Sequence, residues 1–388
     1  MSTATKANHG LTEHSHGFGA PVQIRSARFK SKIAANFPTF SQSEEQWRYV
    51  PVTKLERFIN EPVSKFDCDV NSSSTSGIVC QWVDANESTI GVVGEPEDVI
   101  SAKAWEGASR VFNISVANTG EKETAQINFS LSDDQLRGLH VLVNAAADSE
   151  SIVVLDHAGE GFLSENVEIS LGENAGLTLV SLQRWNSSAV HLSSQFASLE
   201  RNSRLKHIVV SLGGSAVRVS SQATFRGEGA EVEMLGAYFA SSKQFFENRL
   251  FVDHNVANCK SRVVYKGALQ GTKAHTVWVG DVLIQKSAEG TDTYELNRNL
   301  LLTDGARADS VPNLEIETGQ IAGAGHASAS GRFDDEQLFY LQARGIPELE
   351  ARQLVVRGFL NEVIAQIGID EVQTTLTELI EAKLGEAS

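Results

Sequence analysis

Asn174-Ala-Gly-Leu, Asn202-Ser-Arg-Leu, Gly229-Ala-Glu-Val and Asn258-Cys-Lys-Ser-Arg-Val decide the fold. The first three place Asn or Gly first, then a small residue, then an aliphatic a step later, and the fourth is a looser copy. The four copies start 28, 27 and 29 residues apart. Asn and Gly tolerate the left-handed backbone of a tight turn, and a short apolar run after each reads as a strand. A turn-and-strand unit at near-constant spacing is the signature of a stacked β-solenoid. An antiparallel sandwich also has many short strands but needs no such period. Gly305-Ala-Arg-Ala echoes the pattern once more.

Outward from these copies the same texture continues. Short β-rich runs include Ile152–Leu155, Val167–Leu171, Leu177–Leu182, His207–Leu212, Val217–Ser220 and Val232–Leu235. Arg249–Val252, Arg262–Tyr265, Thr276–Val279, Leu300–Leu302 and Leu314–Ile316 follow, punctuated by Gly, Asn, Asp and Ser. All seven prolines lie at 21, 38, 51, 62, 96, 312 and 347, so none interrupts Glu97 to Val311. Proline removes a ladder donor, and a sheet paired on both sides excludes it. The expectation is a parallel β-helix over 97–331.

The ends read differently. Residues 1–20 are rich in Gly, Ser, Thr and His, and are expected to be a disordered tail. His9, His14 and His16 fall in it, and a flexible polar terminus is the plainer reading of them than a metal site. Residues 21–96 read as helical or mixed, with helical patterns over Ala27–Ala35 and Ser43–Phe58. Residues 332–388 read as a helical domain. Asp334 and Gln337 have capping-box spacing, Leu338, Phe339 and Leu341 supply an apolar face, and Gly345 stops the first helix. Val356, Leu360, Val363, Ile364 and Ile367 keep the helical period in the second, and Val372, Leu376, Leu379, Ile380 and Leu384 in the third. From Asp334 to Ser388 there are 11 acidic and 4 basic residues, usually a solvated face and otherwise a dock for a basic partner.

Composition excludes several functions. The 388 residues are 41% hydrophobic, enough for a large core, and carry a net charge of −16. With no concentrated basic patch, nucleic-acid binding is excluded. The three cysteines, Cys68, Cys80 and Cys259, are too few and too scattered for a thiolate-held zinc or cluster. So few thiols, no apolar leader and no 18-residue apolar run point to a cytoplasmic protein off the membrane.

Known catalytic motifs are missing. There is no Walker A, HExxH or GxSxG sequence, and Gly323-Ala-Gly-His lacks the helix and acidic partner of a dinucleotide loop. Asp133-Asp134 and Asp334-Asp335 are adjacent carboxylates that read as loop or cap residues. Cys259 reads as a small buried hydrophobe. His326 lies in Ile321-Ala-Gly-Ala-Gly-His-Ala-Ser-Ala-Ser-Gly, where small flanks permit close approach of a ligand or a second backbone.

Several segments resemble the SufB/SufD family. They include His254-Asn255, Cys259 with Ser261, Tyr265-Lys266-Gly267 and Asn297-Arg298-Asn299-Leu300. Pro312-Asn313-Leu314-Glu315-Ile316, His326, Leu338-Phe339-Tyr340-Leu341 and Arg344-Gly345-Ile346 continue the match, and Trp47-Arg48-Tyr49 resembles the N-terminal motif. Length and scarce cysteine favour the SufD type over the SufB paralogue. The resemblance implies a right-handed parallel β-helix between helical terminal domains, and a non-enzymatic scaffold for iron–sulfur cluster assembly. It further implies pairing with a SufB-like subunit along the solenoid, and docking of a SufC-like ABC-type ATPase through Leu338, Phe339, Leu341, Arg344 and Leu360. A homodimer could form in isolation. No cluster is expected to be held stably by this subunit alone, the transient one forming in the complex. The family's interface histidine corresponds to His326, while the cysteine often found two residues earlier is here Ala324. The rival reading is a β-helix enzyme acting on polysaccharide, which would need clustered Asp, Arg or Lys on one solenoid face.

Overall fold

The computed structural model describes residues 28–332 and 335–385, apart from residues 87 and 89. The histidine-bearing tail lies outside these residues, as does the expected helix cap Asp334. In chain order come α1 (Val52–Asn60), β1 (Ser64–Lys65), β2 (Asp69–Ser74), β3 (Ile78–Asp84), α2 (Val99–Gly107) and β4 (Arg110–Val116). Two long bent strands follow, β5 (Lys122–Ala145) and β6 (Glu150–Leu171). Shorter ones succeed them: β7 (Gly176–Trp185), β8 (Val190–Leu199), β9 (Arg204–Ser211), β10 (Ala216–Phe225), β11 (Glu231–Ala240) and β12 (Phe245–His254). The last are β13 (Lys260–Leu269), β14 (His275–Ile284), β15 (Asp292–Leu301), β16 (Arg307–Ile316) and β17 (Gly323–Arg332). Helices α3 (Asp335–Ala343), α4 (Glu348–Ile364) and α5 (Asp370–Gly385) close the chain.

These strands stack in parallel as a two-walled β-solenoid. The first half of β6 pairs with β7, and the ladder continues through β9, β11, β13, β15 and β17. The second half of β6 pairs with β8, and that wall continues through β10, β12, β14 and β16. The parallel β-helix expected from the repeat is therefore the fold. Its turns are made where the repeat placed them: Asn174, Asn202, Gly229 and Asn258 have φ of 58°, 56°, 74° and 60°. Asn202 Nδ2 donates to Asn174 Oδ1 at 3.2 Å and Asn174 Nδ2 to Asp148 Oδ1 at 2.9 Å, forming a side-chain ladder along this corner.

Gly305 does not continue that corner. The fifth member is Gly290, before β15, whereas Gly305 precedes β16 at the opposite corner with Gly214, Lys243 and Lys273. The turns lengthen toward the C-terminus, Lys260 pairing with Asp292, so a fixed period loses the register there. Strands β8 and β17 also go unannounced by the apolar runs. In β17 the cause is physical: a terminal rung buries little, so Gly, Ala and Ser replace β-branched residues.

The N-terminal segment is less helical than its pattern. The described part of Ala27–Ala35 is extended and ends in a single 3-10 turn, Ala34–Asn36. Ser31 Oγ accepts from the Ile33 amide at 3.0 Å and from Asn36 Nδ2 at 2.9 Å, an alternative to helical bonding. The expected Ser43–Phe58 helix is split into a 3-10 turn, Glu45–Trp47, and α1, because Pro51 cannot continue the first and caps the second.

Three apolar clusters hold the molecule. One fills the solenoid interior, from Phe112, Ile127 and Phe129 to Trp278 and Ile284. A second seals α3–α5 against the outside of the β7–β9–β11 wall, joining Leu338, Leu360, Val363, Leu376 and Ile380 to Val180, Ile208 and Phe239. A third places Trp47, Leu55 and Phe58 on the outside of the opposite wall, against Val190, Phe245 and Val277. At about 1.5–3 kcal/mol per fully buried aliphatic or aromatic side chain, both flanks are integral to stability.

Candidate functional site

The two ends of the solenoid are built differently. At the N-terminal end β2 pairs antiparallel and β4 parallel with β5, and β3 pairs with β4. Phe66 and Phe112 stack edge-on against Phe129, with ring centroids 6.0 and 5.6 Å apart, and close that end with apolar surface. At the C-terminal end β16 pairs only with β14 and β17 only with β15 among the described strands. One backbone edge of each wall is open there.

His326 stands on that open edge. Its register partner is Glu295, and both continue the inward-facing column of Met234 and Val263. Among the described residues no rung covers β17, so His326 is exposed although it occupies an inward position. Gly325 and Ala324 precede it and Ala327 follows, leaving the imidazole free to meet another surface.

Directly beneath lies a residue that the sequence reading did not single out. Glu295 is 1% exposed, and neither carboxyl oxygen has a hydrogen-bond partner among the described residues. Burial, reinforced by the negative charge of Asp281, pushes its carboxyl up to about 8, so it is protonated at neutral pH. A Cβ on Gly280 would come within 2.6 Å of Glu295 Oε1 and 2.5 Å of the Trp278 ring, so only glycine fits beside them. Around it the interior turns polar. Tyr238 donates to Asn299 Oδ1 at 2.7 Å and accepts from Asn297 Nδ2 at 3.0 Å, while Ser310 donates to Asn297 Oδ1 at 2.6 Å. The signal was present as the alternation Thr293, Glu295, Asn297, Asn299, but only the register shows that this polar face points inward. The open end therefore offers an exposed imidazole above a buried, proton-bearing carboxyl.

The other candidates divide sharply. Cys259 is buried, and desolvation pushes its thiol up to about 11, so it is an inert thiol at neutral pH. Burial also raises Cys68 and Cys80. Asp133 lies within β5, at the bend between its two wall segments, and binds Arg137 at 2.5 Å, a structural ion pair. Of the residues expected to meet a partner, Leu338 and Leu360 are buried in the chain's own core, because the apolar faces of α3 and α4 are spent on the solenoid wall. Leu341 is partly buried with them. Phe339 is 73% exposed, and Tyr340, Leu349 and Arg344 are also exposed, with the Arg344 guanidinium 4.6 Å from the Tyr340 ring centre. Among the described residues no helix is long and apolar enough to cross a membrane.

Fold and site define a parallel β-solenoid protein with one uncapped end among the described residues. Residues 129–359 match the family described as SUF system FeS cluster assembly, SufBD core domain. An iron–sulfur cluster assembly SufBD family protein of Mycobacterium tuberculosis is 45% identical over 355 residues, covering 88% of each chain. A SufBD family protein of Mycobacterium leprae is 44% identical over 351 residues, and the iron–sulfur cluster assembly protein SufD of Escherichia coli is 27% identical across 94% of both chains. The chain belongs to the SufBD family of the SUF iron–sulfur cluster assembly system. That membership displaces the polysaccharide-enzyme reading.

Proposed function

We propose that this chain is the SufD-type, non-catalytic scaffold subunit of a cytoplasmic cluster-assembly complex. In this reading a SufB-like subunit pairs with the open solenoid end, and a nascent cluster, the cargo of the complex, forms between them with His326 as this chain's ligand. The observation that carries it is the unpaired β16 and β17 edge bearing an exposed, small-flanked imidazole. Unpaired strand edges invite pairing with another chain. Exposed Tyr294 and Ile316 on neighbouring strands add apolar surface. Imidazole replaces thiolate in some clusters and leaves the iron less strongly held, which suits a site that must release its product. A SufC-like ATPase docks on the exposed side of α3 and α4 through Phe339, Tyr340, Arg344 and Leu349, in place of the buried Leu338 and Leu360. No stable cluster resides on this subunit alone.

The test is His326→Ala, with Cys259→Ser beside it, in the co-expressed complex. The complex and its ATPase activity should survive both changes, while cluster formation falls strongly for His326→Ala and little for Cys259→Ser. Wild-type cluster yield from His326→Ala would overturn the reading of the open end.

A further inference from the structure

We propose that His157, Glu165 and His191, deep inside the solenoid, form a binding site for one first-row divalent cation of the zinc type. His157 and Glu165 lie on the two halves of β6 and His191 on β8, so the residues face each other across the interior. All three are at most 1% exposed, and one ligand atom from each lies within 4.8 Å of the others.

The argument rests on proton positions that the partners dictate. Trp185 Nε1 can only donate, and it lies 2.8 Å from Gln183 Oε1, which fixes that end of the amide as oxygen. His191 Nδ1 is 2.7 Å from the same oxygen, much closer than its 3.3 Å contact with Trp185 Nε1, and so donates its proton to that oxygen. His157 Nδ1 is 3.1 Å from the Leu182 carbonyl, an acceptor only, and so carries a proton as well. In both neutral rings the lone pair is then on Nε2. His157 Nε2 is 2.8 Å from Glu165 Oε1, and His191 Nε2 is 3.4 Å from Glu165 Oε2. Two lone pairs thus face one buried carboxylate, and His191 Nε2 has no hydrogen-bond partner among the described residues.

One proton on His157 would settle only the first of these contacts. Protons on both rings would leave a net positive charge in a dry interior, which is costly. A single divalent ion settles all three groups, with two imidazoles and one carboxylate as ligands. The outer contacts match those of metal-binding histidines, where the second ring nitrogen donates to a carbonyl or amide oxygen. Ser193 Oγ donates to Glu165 Oε2 at 2.6 Å and steadies the carboxylate. Ligand atoms about 2.0–2.1 Å from a tetrahedral ion lie roughly 3.3 Å apart, and the 2.8 and 3.4 Å contacts, each to a different oxygen of the Glu165 carboxylate, bracket that spacing. Because the site is sealed by Phe129 and Trp185, the ion enters as the chain folds.

The experiment uses the full chain, unfolded in chelator and refolded with either Co2+ or chelator present. We expect about one Co2+ per chain to survive gel filtration, with visible absorption bands and a higher melting temperature than the metal-free chain. His326→Ala should retain the ion, which separates this site from the open end. Glu165→Gln and His191→Ala should lose it, and if they do not fold, the wild-type metal content and melting shift decide alone. A folded wild-type chain that retains no Co2+ and melts unchanged would overturn the proposal. So would one equivalent retained by either folded variant.

Discussion

The two ends of the solenoid are made from the same kind of rung and finished in opposite ways. At the N-terminal end β2 and β4 take up the hydrogen bonds of β5, and aromatic rings cover the interior. At the C-terminal end the walls stop at β16 and β17, and the interior column ends in Glu295 and then His326. A closed end buries its polar edge and contributes stability. An open one leaves backbone and side-chain groups unpartnered and available.

Substitutions can break this contrast. Phe129→Ala, in the closed end, should destabilise the chain by about 3–5 kcal/mol, while Leu314→Ala, half-buried near the open end, should cost only about 1 kcal/mol. Chemical denaturation measures both, and equal losses would show the ends to be equally packed. Next in size are the glycines. Gly159 has φ of 93° and a Cβ there would overlap the Leu131 carbonyl, whereas a Cβ on Gly331 meets nothing within 4 Å. Gly159→Ala should cost about 3 kcal/mol and Gly331→Ala under about 0.5 kcal/mol, read from the same curves.

Glu295 sharpens the contrast through pH. Folded, its carboxyl holds a proton up to about 8; unfolded, it ionises near the ordinary 4.5. The folded state binds the extra proton between these values, so the contribution of this residue makes stability fall as pH rises from 4.5 to about 8. Glu295→Gln should remove that slope and raise stability at pH 8 relative to the parent chain. Melting curves across this range check it, and an unchanged slope would show the carboxyl to be ionised in the folded chain. The smallest effect on stability belongs to His326→Ala, under about 0.5 kcal/mol because the ring is exposed, despite its large expected effect on cluster formation.

Much of this was legible before any coordinates. The Asn and Gly corners announced the solenoid, since only residues tolerant of positive φ can make its turns without strain. Small flanks made His326 a candidate, and helical periodicity located α4 and α5. Legibility failed where local pattern and environment part company. The β17 rung, Gly323–Arg332, has no apolar face to betray it. Gly305 carries the right local sequence at the wrong corner. Leu338 and Leu360 have the apolar period of a docking face, but period cannot say whether the surface covered is a partner's or the chain's own.

The sequence by itself determined the rung and its turns, because backbone tolerance and apolar alternation are local properties. Tertiary structure decided which residues meet. Glu295 lies beneath His326, 31 positions apart, only because β15 and β17 stack in that register. His157, Glu165 and His191 converge only because β6 bends across both walls and β8 lies beside its second half. A parallel register brings together residues a full turn apart, and the length of each turn, which varies along this chain, sets the pairing.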